Sequence, residues 1–175
     1  MLNQSKLVFI AMFVIAIFTL SCEESDEVTL ADSSAEVTVE GKVFTKPDSE
    51  VVGYIEFEFN DEKSVTISAD LVNGTDTVSL YISLPELAVG TYTKAEHADA
   101  YSISTDLDSA DFSTNGPVFD YDEDKTDYTL HITEVSDGVV KGDFTATVQQ
   151  FAQTNTLSTS GKFVAVDLSS FLTGS

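Results

Sequence analysis

From Val37 to Leu168 the chain alternates apolar and polar residues with a period of two, and no stretch in that range keeps a helical period for a useful length. Period two sends successive side chains to opposite faces of a pleated strand, one to the core and one to water, so a chain written this way folds as sheet. Val65, Ile67, Ala69 and Leu71 share one face of a strand, and Val78, Leu80, Ile82 and Leu84 share one face of the next. Between them Asn73-Gly74 supplies the positive φ angles that a tight hairpin demands, so these two strands pair directly. Asn60-Asp61-Glu62-Lys63 joins the preceding pair in the same manner. Val37, Val39, Gly41 and Val43 fall on one face of a first strand. Ile55, Phe57 and Phe59 fall on one face of a second, with Tyr54, Glu56 and Glu58 opposite.

The middle of the chain is less regular. Gly90-Thr91-Tyr92 reads as a turn entering a strand and Tyr101 to Thr105 as another, while Asp106 to Lys125 reads as a long polar loop with one short strand around Val118. Pro85 to Ala88 is long enough for a single helical turn. Regularity returns with Tyr128, Leu130 and Ile132 facing inward, a turn at Asp137-Gly138, and Val140, Gly142, Phe144, Ala146 and Val148 alternating back, before a last strand over Thr156 to Leu168. The expectation is an all-β domain, an antiparallel meander of about eight to ten strands folded as a β-sandwich, with a closed, lipocalin-like β-barrel as the alternative.

The N-terminus obeys different rules. Leu7 to Leu20 carries no charge and a single polar residue, Thr19, which is short for a permanent membrane span and suits the apolar core of a signal peptide. It ends at Cys22, the one cysteine, which has no partner within the chain for a disulfide. Thr19-Leu20-Ser21-Cys22 resembles the bacterial lipobox, in which a cysteine is lipidated on sulfur, exposed by cleavage and acylated on nitrogen; Thr19 stands where that motif usually has Leu. The resemblance implies a lipoprotein signal peptide over 1–21, a lipidated acidic linker over 22–34 and a single all-β domain over 35–175. Glu23-Glu24-Ser25-Asp26-Glu27 is similar to the acidic tract that follows the lipidated cysteine in surface-exposed lipoproteins of the Bacteroidota, which implies export to the outer face of the outer membrane. A solvated linker, or a periplasm-facing anchor, is the alternative. Within the domain, "SLYISLPELAVGTYT", "YTLHITEVSDGVVKGDFTATV" and "LSTSGKFVAVDL" resemble an uncharacterised family of small Bacteroidota lipoproteins, in which a Gly-x-Phe strand precedes a Ser-Gly-x-Phe strand. That resemblance implies a shared fold and brings no catalytic residues with it.

Charge narrows the partners. Removing residues 1–21 takes away Lys6 and no acid, which moves the formal charge from −22 to −23, and the chain has no arginine. Nucleic acid and anionic lipid headgroups are therefore disfavoured, and attachment to a membrane falls to the N-terminal lipid. Extracellular glycans, peptides and divalent cations remain as partners. No nucleophile elbow, phosphate loop or dinucleotide fingerprint is present. The expectation is a non-catalytic binding or envelope-structural module without a cofactor; the alternatives are a small hydrolase using carboxylates or a calcium-dependent carbohydrate- or peptide-binding module. Tyr54 and Tyr81 are the aromatic residues placed to form an exposed platform. Zinc would need His97 and His131 to meet a carboxylate such as Asp99.

The sharpest local candidate for a metal is "FDYDEDKTDY", where Asp120, Asp122, Asp124 and Asp127 cluster with Glu123. Calcium takes six to eight oxygens, which alternating acids in a loop can supply. The EF-hand template does not fit, because Lys125 occupies the position of its turn glycine and His131 that of its bidentate glutamate. A calcium cradle and a solvated acidic loop part on one measurement: a cradle raises the thermal midpoint at millimolar calcium and loses that gain to a chelator, whereas an unchanged midpoint removes the ion.

Overall fold

In the computed structural model, which describes residues 30–59, 62–97, 102–107, 110–114, 125–150 and 153–169, the alternation becomes eleven strands. They are β1 (Ser34–Val39), β2 (Lys42–Thr45), β3 (Gly53–Phe59), β4 (Glu62–Asn73), β5 (Asp76–Leu84), β6 (Gly90–Thr93), β7 (Ser102–Leu107), β8 (Ala110–Ser113), β9 (Asp127–Ser136), β10 (Val139–Gln150) and β11 (Thr156–Asp167). Gly74 at φ 65° opens the turn from β4 to β5, and Asp137 and Gly138 at 46° and 78° make the turn from β9 to β10, where the sequence predicts both.

A third turn, Glu40-Gly41, corrects the first predicted strand. Both residues have positive φ, 48° and 81°, and Val39 lies opposite Lys42. The chain therefore reverses at Glu40 instead of running through Val43. Val43 points outward and Phe44 takes the core position. Glutamate gains nothing of its own from this conformation. It is held there by Ser158: the Glu40 N–H donates to the Ser158 carbonyl (3.0 Å) and the Glu40 carboxylate accepts from the Ser158 N–H (2.5 Å).

Two antiparallel sheets result. Sheet I runs β6-β9-β10-β11-β1-β2 and sheet II runs β3-β4-β5-β7-β8. Their buried faces, with Val37, Phe44, Leu130, Phe144 and Phe163 from one and Ile67, Leu71, Leu80, Ile82 and Ile103 from the other, form a single apolar cluster, so the sheets lie face to face as a sandwich. Hydrogen bonding is nevertheless continuous around three corners. Each corner is the end of one of the twelve-residue strands: Val72 of β4 lies opposite Thr45, Gln149 and Gln150 of β10 opposite Ser113 and Phe112, and Val166 and Asp167 of β11 parallel to Gly53 and Tyr54. With β4, β10 and β11 each holding three partners, the sheet is not a clean barrel.

The order also departs from a plain meander. β6 crosses to sheet I to pair with β9, and β1 pairs with β11 from the far end of the chain. The β3–β11 link is parallel, with Val166 N–H donating to Val52 O and Leu168 N–H to Tyr54 O, each at 3.0 Å. Gly53 makes that approach feasible, since the Leu168 side chain fills the space a Cβ would take. This link and the pairing of Tyr54 opposite Ile67 fix the face of β3: Val52 and Tyr54 go inward and Phe57 stays half-exposed, the reverse of the predicted face. Pro85 to Ala88 is an irregular bend, and a helical turn follows β6 at Lys94–His97. The described residues open with a 3-10 turn, Leu30–Asp32, followed by buried Ser33, whose hydroxyl donates to Leu30 O and accepts from Val52 N–H. Val118 and residues 60–61 lie outside the described residues.

The central hairpin of sheet I explains the two Gly-x-Phe segments. Gly142 of β10 lies opposite Phe163 of β11, and Phe144 lies opposite Gly161. A Cβ on Gly142 would stand 2.8 Å from the Phe163 ring and 2.6 Å from the His131 carbonyl; one on Gly161 would stand 2.8 Å from the Phe144 ring and 2.8 Å from the Glu36 carbonyl. Each ring thus lies on the glycine of the other strand. Beside Gly142 the β9–β10 register shifts by one residue, a bulge at Thr133. Gly142→Ala and Gly161→Ala each overpack a site bounded by backbone, so each is expected to destabilise by about 1–3 kcal/mol. The check is denaturant unfolding of each variant; an unchanged midpoint would show that the rings move aside freely.

Candidate functional site

Hydroxyl side chains, half-buried except for the exposed Thr145 and Ser158, line up across the outer face of sheet I in register. One transverse row runs Thr93, Thr129, Thr145, Ser160, Thr38, each residue directly opposite the next on five adjacent strands. A second runs Asp127, Thr147, Ser158. These rows sit on the outer face because their neighbours Tyr92, Tyr128, Leu130, Phe144, Ala146 and Val37 are buried on the other. Together they line an open trough of about 380 Å3, whose lining includes Thr38, Thr129, Thr145, Thr147, Ser158 and Ser160, with Gly41 and Asp127. None of those six hydroxyls bonds to another group of the protein among the described residues, so their donors and acceptors are directed to solvent. Glu40, clamped to Ser158, fixes the β1–β2 turn beside them.

A charged row borders the hydroxyls: Thr91, His131, Asp143, Lys162, Glu36. His131 Nδ1 is 3.5 Å from Asp143 Oδ1 and Lys162 Nζ is 3.5 Å from Glu36 Oε1, all on exposed side chains. Lys162 stands between Asp143 and Glu36 and partly offsets these two carboxylates in a very acidic chain. At the end of the same sheet, a hydrogen bond from Lys141, helped by one from Ser136, holds the Glu134 carboxyl below the ordinary glutamate range. On the inner side, burial raises the phenols of Tyr54 and Tyr92, with Asp167 and Glu56 adding to the first and Glu86 to the second.

The predicted site residues are distributed as follows. Cys22, Asp120, Asp122 and Asp124 lie outside the described residues, as does Asp99. Asp127 starts β9, where its Oδ1 accepts the Tyr128 N–H at 2.8 Å, and it lines the trough. The two borders of segment 115–124 are tied together, since Thr126 donates to the Thr114 carbonyl (3.3 Å) and Lys94 Nζ donates to Thr126. Among the described residues no group of three or more His, Cys, Asp or Glu is placed to hold a metal. His97 ends the helical turn, and His131 lies on β9 opposite Thr91.

The two-tyrosine platform is corrected: Tyr54 is buried under the β3–β11 link, while Tyr81 stands 44% exposed on the outer face of sheet II between Ser68 and Ser104. Glu56 and Glu58 are exposed at the outer end of β3, beside a second groove of about 440 Å3 that includes Phe57, Ser64, Pro85 and Leu87.

The hydroxyl rows were not singled out by sequence pattern. Their trace is there, in Thr91-Tyr92-Thr93, Thr145-Ala146-Thr147 and Ser158-Thr159-Ser160, but hydroxyls on alternate residues become a row only once the register of five strands is known. Glu40→Ala removes the carboxylate that holds the Ser158 N–H at the trough and is expected to cost about 1 kcal/mol, with Glu40→Gln retaining most of it. Chemical denaturation of the two variants separates them; equal loss in both would assign the effect to charge instead of the hydrogen bond. In comparisons with known proteins, the chain matches no family model, no curated protein and no solved structure.

Proposed function

We propose that the chain is a lipid-anchored lipoprotein of the outer membrane, attached through Cys22 and displayed at the cell surface, whose domain is a non-catalytic binding module. The observation that carries the binding role is the trough on sheet I: six hydroxyls without a protein partner among the described residues, on strands that each have a neighbour on both sides. Residues that served only solubility in an acidic exported chain would not need to be held in register by a turn residue at positive φ. The anchor reading rests on the apolar run Leu7–Leu20 ending at Cys22, and the surface reading on the acidic tract that follows it. Two or more acyl chains suffice for firm attachment where one does not.

The rival hydrolase reading has one local observation in its favour, the sequence Thr91, His131, Asp143 in a single row, but the imidazole and carboxylate are 47% and 55% exposed and 3.5 Å apart. Any released product from incubation with candidate glycans or peptides would overturn the non-catalytic reading.

The anchoring experiment compares wild type with Cys22→Ala in intact cells treated with a protease that does not cross the outer membrane, alongside a periplasmic control. Wild type is expected in the membrane fraction and cleaved while the control survives; Cys22→Ala is expected in the soluble fraction. A Cys22→Ala chain that still sediments with membranes overturns the lipid anchor, and a wild-type chain spared together with the control overturns surface display.

A further inference from the structure

We infer that the trough on sheet I takes a neutral, hydroxyl-rich ligand, a linear glycan laid across the strands along the row Thr129, Thr145, Ser160, Thr38; this deepens the binding role proposed above and rests on it. Adjacent strands lie about 4.8 Å apart, so the row offers a hydroxyl at that interval over the four strands from Thr129 to Thr38, a span of about 14 Å, while the Thr93 hydroxyl at its end donates to Glu96 (3.2 Å). That interval is close to the length of one pyranose ring, so successive sugars of an extended chain meet successive strands. A hydroxyl both donates and accepts, and so does each hydroxyl of a sugar; the row asks for a ligand of the same kind and not for one that only accepts or only donates.

The other occupants fit less well. An anionic ligand meets a chain of net charge −22 and finds no arginine. A cation finds one carboxylate in the lining, Asp127, one oxygen of which already accepts the Tyr128 N–H. An extended peptide adds at a sheet edge through backbone hydrogen bonds, whereas β9, β10, β11 and β1 each have a strand on both sides. A second copy bound about a two-fold axis would set trough against trough, which two concave surfaces cannot close. With no exposed aromatic ring in the row, binding depends on hydrogen bonds alone and is expected to be weak, with a dissociation constant on the order of 0.1–1 mM.

The test uses the full lipidated chain in detergent micelles and saturation-transfer NMR with laminarihexaose and mannohexaose as neutral probes and hexagalacturonate as the acidic comparator. Wild type is expected to bind at least one neutral hexasaccharide, and to bind hexagalacturonate at least about fivefold more weakly. The double variant Thr145→Val/Ser160→Ala keeps the shape of the strands and removes two hydroxyls from the centre of the row, so binding is expected to fall about tenfold. Thr129→Val, on the neighbouring strand of the same row, gives an independent loss of about three- to fivefold should the double variant fold poorly. Thr66→Val/Ser83→Ala, on the outer face of sheet II, is expected to bind as wild type. No transfer from either neutral hexasaccharide, row variants that bind as wild type, or hexagalacturonate bound as tightly as the neutral probes would each overturn the inference. Anchoring is read separately, from cell fractionation: a lipidated chain that ignores both neutral sugars sinks the glycan alone, and a chain that binds them without lipid sinks the anchor alone.

Discussion

Two phenyl rings resting on two glycines hold the middle of this molecule together. Phe163 covers Gly142 and Phe144 covers Gly161, so β10 and β11 close against each other with no side chain between ring and backbone. Everything else hangs from this hairpin. β9 and β6 extend sheet I from one side of it, β1 and β2 from the other, and its two ends bend away at opposite corners to meet β8 and β3 of sheet II. A glycine in a strand interior costs conformational entropy and leaves a gap; an aromatic ring laid across it recovers apolar contact and covers the bare backbone. Packing of that kind tolerates no added atom, since protein interiors are already as dense as organic crystals.

How much of this the sequence discloses depends on whether a feature is local. The face of β4, β5, β9 and β10 was readable, because in these strands alternation runs unbroken for several residues and one face must be apolar throughout. The inward face of β1 follows the pattern, but the turn into β2 and the face of β3 depart from it for definable reasons. Glu40 enters a positive-φ turn that its residue type does not announce, and it does so because Ser158, far along the chain, holds both its amide and its carboxylate. β3 carries apolar residues on both faces, and the choice between Tyr54 and Ile55 is made by the register to Ile67 and by the parallel link to β11. Tertiary pairing decides such strands. The trough lies further from the sequence still: each strand shows hydroxyls at alternate places, but their alignment belongs to the sheet.

The corners also deal with a hazard of all-β chains. An open strand edge is a template for another chain, and exported β proteins blunt their edges. Here β3 and β8, the edges of sheet II, pair with the ends of β11 and β10, and β2 is joined to β4 at Thr45 and by a hydrogen bond from Asn73 to Val43 O (2.7 Å). Among the described residues β6, only four residues long, has a single partner strand, and β2, β3 and β8 are each closed over one or two residues at a corner. The outer face of sheet I is uncharged along its central row.

The place where β1 starts has a consequence for how that face is presented. Were a lipid carried on Cys22, seven residues would separate it from the turn at Leu30, and those eight Cα-to-Cα steps, fully extended, would reach at most about 28 Å. β1 starts at Ser34 and rises about 13 Å by Thr38. The hydroxyl row thus crosses β1 near the end opposite Ser34, so a tether that entered the domain at Ser34 would meet the sheet at the end away from the row.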